Sequence, residues 1–160
     1  MTAAVLTVSD SAAQGTRADA SGPAVAEALK EKGFTVIATR VVADERSAIE
    51  GALVELTAAA RLVVTTGGTG VAARDVTPEA TRAVCDRLVE GLAERIRSQG
   101  ARATPFAALG RGVCGIRGRS LVVNLPGSPK GATESLAAVM DLLPHAIEVL
   151  DGRTEHPESA

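Results

Sequence analysis

Val63-Val64-Thr65-Thr66-Gly67-Gly68-Thr69-Gly70, followed by Arg74-Asp75-Val76-Thr77-Pro78-Glu79-Ala80, decides how this chain folds. A β-branched run ends in a glycine cluster, then a carboxylate, then a helix start. That order places pliable backbone and one acid at the carboxyl end of a buried strand. In open α/β sheets this is the edge where ligands bind.

Outward from this stretch the chain alternates strand and helix patterns. Upstream, Ala3 to Ser9 is a short apolar run without helical period, which predicts a buried first strand, and Ala12 to Ala20 reads as a polar loop. Ser21-Gly22-Pro23 signals an N-cap followed by proline in the first turn. Val25, Ala26 and Leu29 give that helix one apolar face, and Gly33 closes it. Thr35 to Val42 predicts a second strand. Asp44 stands before a helix with Ile49, Leu53 and Leu56 on one face, and Arg61 to Thr66 is the third strand.

Downstream, Thr77-Pro78-Glu79 reads as N-cap, first helical residue and acidic first turn. Leu88, Leu92 and Ile96 continue a helical layer to Gly100. Val113 to Ile116 and Leu121 to Leu125 flank a turn at Arg117-Gly118-Arg119 as a hairpin, which makes one strand antiparallel. Pro126-Gly127-Ser128-Pro129-Lys130 opens the last helical region, with Leu136, Val139, Met140 and Leu143 inward and Pro144 breaking or restarting it. The pattern predicts an α/β fold: a three-layer α/β/α sandwich with a mostly parallel sheet and one antiparallel strand. Residues 1–152 form a single domain, and 153–160 a flexible C-terminal tail.

Composition narrows the function. The net charge of −2, with two Phe and no Tyr or Trp, argues against a nucleic-acid partner. Cys85 and Cys114 fit no metal or redox spacing and read as thiols in a reducing cytosol. The first residues lack a basic region and meet Asp10 too early for a signal peptide. No apolar run approaches the roughly 18 residues that span a bilayer. The expected setting is cytoplasmic, with no membrane partner.

Four strand-to-helix junctions carry polar residues or glycines: Ser9-Asp10, Asp44, Gly67 to Asp75, and Asn124 to Lys130. If the parallel strands lie side by side, these segments converge on one pocket. Gly67-Gly68-Thr69-Gly70 is neither a Walker loop nor a G-x-G-x-x-G fingerprint. It is a tight turn or an anion site, and the neighbouring Asp75 tips it toward binding. Ser128-Pro129-Lys130 is a second helix start, and lysine in a first turn runs against the helix dipole, which favours an anionic ligand there. Both acids also suit a capping role, Asp44 strongly and Asp75 less so, since Thr77 supplies the cap. Two carboxylates beside phosphate-binding loops suit Mg²⁺ and nucleotide chemistry, and Asp10 leaves the choice of metal ligands open. His145 and His156 read as surface or interface residues.

These motifs resemble the MogA/MoaB-type molybdopterin-binding family, which includes the molybdopterin adenylyltransferases and the gephyrin G domain. The matching residues are Val8-Ser9-Asp10, Gly15, Asp19, Ser21-Gly22-Pro23, Thr66 to Gly70, Arg74 to Ala80, and Asn124 to Lys130, in order over nearly the whole chain. The resemblance implies a usually trimeric three-layer protein of molybdenum cofactor synthesis. Its reaction would be Mg²⁺-dependent adenylylation of molybdopterin by ATP, releasing pyrophosphate. Asp44 and Asp75 would be the catalytic acids and the Mg²⁺ ligands. Ser9, Asp10, Thr66, Gly67, Gly68, Thr69 and Gly70, with Pro126, Gly127, Ser128 and Lys130, would hold the phosphates. A molybdenum insertion protein is an implied partner. The alternative is a MoaB-type relative that binds pterin, or serves as an interaction scaffold, without catalysis. Gly110-Arg111 departs from the Ser-Arg pair of many relatives, and Cys114 stands where Ala is common.

Overall fold

The computed structural model describes residues 1–153. Among the described residues, seven helices and six strands follow in the order β1 (Thr2–Val8), α1 (Asp10–Ala13), α2 (Ser21–Glu31), β2 (Thr35–Val42), α3 (Arg46–Ala59), β3 (Leu62–Thr66), α4 (Thr77–Val84), β4 (Arg87–Leu88), α5 (Glu90–Ala103), β5 (Cys114–Arg117), β6 (Ser120–Leu125), α6 (Pro129–Val139) and α7 (Leu143–Leu150). A short 3-10 helix, Pro105–Leu109, links α5 to β5. The strands form one sheet in the order β2-β1-β3-β6-β5-β4. The β1–β2, β1–β3 and β3–β6 pairs are parallel, and β5 runs against both its neighbours.

Strand periodicity builds the three layers, because successive side chains leave a strand on opposite faces. Ala3 and Val5 of β1, with Leu62 and Val64 of β3, pack against Val25 and Leu29 of α2 and Leu136 and Val139 of α6. Ala4, Leu6 and Val63 point the other way, against Ile49 and Leu53 of α3 and Ala80 of α4. β3 and all of β1 beyond Thr2 are buried, so they read as continuous apolar runs rather than alternating ones. Fully burying one of these leucines stabilises the fold by about 1.5–3 kcal/mol.

The chain leaves β1 for β2 on one side and leaves β3 for β4, at the far edge, on the other. The crevice between the carboxyl ends of β1 and β3 is therefore the point where the winding reverses.

Several local expectations are corrected. Ala12 to Ala20 is not all loop, since α1 occupies Asp10–Ala13 with Ser9 as its N-cap. Ser21 does not cap α2. The Asp19 carboxylate does so, accepting from the Gly22 amide (3.0 Å). Thr77 is not a cap either: its hydroxyl donates to the Gly67 carbonyl (3.0 Å). Leu88 lies in β4 rather than in the helix, and α5 runs past Gly100 to Ala103. Residues 154–160, with His156 and most of the expected tail, lie outside the described residues, while the Arg153 amide is bonded to the Glu148 carbonyl (3.0 Å).

Candidate active site

β1, β3 and β6 deliver their carboxyl ends side by side, and two cavities open there. The smaller, about 440 Å³, is lined by Ser9, Asp44, Thr66, Gly67, Gly68 and Asp75. The larger, about 910 Å³, lies between α5, the 3-10 helix and α6. Gly68, Asp75, Gly127 and Ser128 line both and form the ridge between them. Thr69, Gly70 and Pro126 face the larger cavity.

The glycine loop owes its shape to its surroundings. Gly67 and Gly68 adopt φ of 99° and 64°, the left-handed region that side chains disfavour. A Cβ on Gly67 would strike the Val8 carbonyl, and one on Gly68 would strike the Thr77 hydroxyl and lie 3.1 Å from Asp44 Oδ1. The Gly67 amide donates to the Leu125 carbonyl (3.2 Å), and the Thr77 amide to Gly68 (3.1 Å). Thr66, fully buried, donates its hydroxyl to the Pro126 carbonyl (2.7 Å) and ties the loop to the last junction.

Asp44 caps nothing. The N-cap of α3 is Glu45, and the Asp44 carboxylate turns back to accept from the Asp10 amide (2.8 Å). Asp10 reciprocates, accepting from the Asp44 amide (2.9 Å), and its second oxygen accepts from Arg74 Nε (2.6 Å). The Arg74 guanidinium holds the Asp10 carboxyl below its ordinary range, whereas burial pushes the Asp44 carboxyl up, with Asp10 and Asp75 adding repulsion. Asp75 Oδ2 accepts from the Ala72 amide (3.0 Å). Among the described residues, no donor reaches Oδ1 of Asp44 or of Asp75. Each acid thus has one oxygen that accepts no hydrogen bond among the described residues. Asp10 has both oxygens engaged and lines neither cavity.

This donor set fits Mg²⁺. No cluster of three metal-binding side chains exists among the described residues. Mg²⁺ is ordinarily held by one or two carboxylates, with waters and substrate phosphates completing the shell.

At the last junction Ser128 caps α6, its hydroxyl accepting from the Gly131 amide (3.1 Å). Lys130 lines neither cavity; its side chain is 86% exposed and faces Glu134 across 3.9 Å.

Asn124 and Arg111 went unassigned in the sequence, although both lie in recognised stretches. Asn124 is a buried node: its amide donates to Thr65 and Thr81 hydroxyls (3.0 Å each), and its oxygen accepts from the Val113 amide (3.1 Å). An asparagine inside Val122-Val123-Asn124-Leu125 was the available signal, because a buried amide demands partners. Arg111 Nε donates to the Gly70 carbonyl (2.7 Å), and its guanidinium also pairs with Glu79. The thiols of Cys85 and Cys114 are pushed up to about 11 and about 12 by burial, so neither is a ready nucleophile. His145 lies half-buried in α7, away from both cavities.

Sheet, crevice and paired acids define a three-layer α/β protein with a bipartite cavity at the carboxyl edge of its sheet. A family profile described as "Probable molybdopterin binding domain" matches residues 4–145, and the chain belongs to that family. It is 42% identical over 152 residues to a molybdopterin adenylyltransferase of Helicobacter pylori, covering 92% of this chain and 86% of that one. A crystal structure of the molybdopterin biosynthesis enzyme MoaB from Thermus thermophilus superposes with a TM-score of 0.89 at 50% identity, covering 94% of this chain and 96% of that one. A MogA structure superposes with the same TM-score, 0.89, at 41% identity, covering 94% and 99%.

Proposed function

We propose that this chain adenylylates molybdopterin, joining AMP from ATP to the pterin's terminal phosphate and releasing pyrophosphate, as a step of molybdenum cofactor biosynthesis. One observation carries the reading. Two cavities meet at a ridge of Gly68, Asp75, Gly127 and Ser128, which suits two substrates whose phosphates react with each other. The larger cavity has aliphatic walls at Ile96, Ala103 and Ala107 and suits a planar ring. The smaller carries the hydroxyl of Ser9 and the carboxylate of Asp44.

In this mechanism an oxygen of the pterin phosphate attacks the α-phosphorus of ATP, the bond from that phosphorus to the bridging oxygen breaks, and pyrophosphate leaves. The amides of Gly68 and Gly70 in the glycine loop and those of the α6 N-terminus hold phosphate oxygens in line. Asp44 and Asp75 are the residues that would hold Mg²⁺, which when bound screens the phosphates and the departing charge. Thr66, donating to the Pro126 carbonyl, and Thr77, donating to the loop's own Gly67 carbonyl, keep the loop in register. The reading extends to a cytoplasmic homotrimer that passes its product to a molybdenum insertion protein. No helix among the described residues is long and apolar enough to cross a membrane.

The test is to incubate the purified chain with ATP, Mg²⁺ and molybdopterin and to seek adenylylated pterin by mass spectrometry. A second reading is a MoaB-type protein that binds pterin, or serves as an interaction scaffold, without catalysis. Pterin binding with no ATP-dependent product would select that one.

A further inference from the structure

Arg111 sits behind the glycine loop, on the segment that leads from the 3-10 helix into β5. Its backbone amide donates to the Thr69 carbonyl (2.8 Å). Its side chain donates through Nε to the Gly70 carbonyl (2.7 Å) and through Nη2 to the Asp75 carbonyl (2.6 Å). The remaining nitrogen, Nη1, pairs with the Glu79 carboxylate at the start of α4. One planar group therefore fixes both ends of the 70–75 segment and anchors them to the helix that follows. Asp75 Oδ2 also lies close against Gly70, 2.8 Å from where a Cβ would stand, so a shift of Gly70 displaces the carboxylate. A lysine at this position would present a point charge without the fork, and would satisfy the two carbonyls and the carboxylate one at a time.

We propose that Arg111, oriented by Glu79, is a positioning residue for Asp75, holding from behind the loop that aims this carboxylate at the ridge between the cavities. The proposal rests on the reading of Asp75 as a catalytic acid. It also gives Glu79 a role beyond the helix dipole: it holds the guanidinium in the plane that reaches both carbonyls.

The test compares the full chain with Arg111→Ala, Arg111→Lys and Glu79→Gln by amide hydrogen exchange and by steady-state adenylylation. In Arg111→Ala, the amides of Ala72, Asp75 and Thr77 exchange about tenfold faster or more, while those of Val63 to Thr65 keep their protection. A displacement near 1 Å of a reacting group lowers kcat by about 10²-fold, with KM for ATP and pterin held within about threefold. Arg111→Lys and Glu79→Gln fall between Arg111→Ala and wild type, and either serves should Arg111→Ala fail to fold. Unchanged loop exchange in every variant that folds overturns the proposal, as does unchanged kcat per folded molecule. Absence of adenylylated pterin from the wild-type chain would instead overturn the adenylylation reading, and the exchange data would still decide whether Arg111 holds the loop.

Discussion

Two glycine-bearing junctions face each other across the site, and they are made differently. The loop after β3 runs through two positive φ angles and leaves no room for a Cβ at Gly67, where the Val8 carbonyl stands. The junction after β6 has no positive φ; it is a helix start capped by Ser128, and a Cβ on Gly127 would come to 3.3 Å from Gly67 Cα. The first is shaped by its neighbours in space and the second by its own cap. Glycine therefore carries the geometry in one loop, while in the other it only allows close approach.

Substitutions test that contrast. The largest effect is expected for Gly67→Ala, where an unfavourable φ and a clash with fixed backbone add to about 3 kcal/mol or more. A thermal melt reads the loss, and activity falls with it; Gly127→Ala, with milder crowding, should cost less than half as much. Asp75→Asn separates chemistry from shape: the melting temperature and molybdopterin binding persist, while pyrophosphate release drops by about 10²-fold or more, as for loss of one electrostatic contact. Unchanged turnover would remove Asp75 from the mechanism. Ser128→Ala deletes a helix cap and should cost about 1 kcal/mol in a denaturant titration.

The smallest effect is a pH dependence. Arg111 holds the Glu79 carboxyl below its ordinary 4.5. The contribution of this pair to stability is fully present above pH 4.5 and is lost as pH falls through the lower folded value. The difference in melting temperature between wild type and Glu79→Gln should therefore be constant at neutral pH and shrink in acid. The pair is partly exposed, so the difference is modest throughout.

Most of the fold was legible because its signals are local. The unbroken apolar run of β1 and the Ile49-Leu53-Leu56 stripe of α3 each sit within one element, and the Arg117-Gly118-Arg119 turn spans three adjacent residues. The two-residue strand β4 was not, since Arg87-Leu88 is too short to show a period and pairs only because β5 lies beside it. Capping was misread at Ser21 and Thr77 for a related reason. Each hydroxyl had a plausible local partner, but Asp19 supplied the first cap, and the Gly67 carbonyl, ten residues away in sequence, claimed the second hydroxyl.

Within the site, the sequence alone determined which strand ends carry glycine, hydroxyl and acid, since residue type and order follow from periodicity and turn chemistry. Only the tertiary structure decided what each group does. It engaged both oxygens of Asp10 with the Asp44 amide and Arg74 and brought Arg111 against the back of the glycine loop. The reason is physical: hydrogen bonds and ion pairs depend on distances of about 3 Å between residues that lie tens of positions apart, and the packed sheet sets those distances.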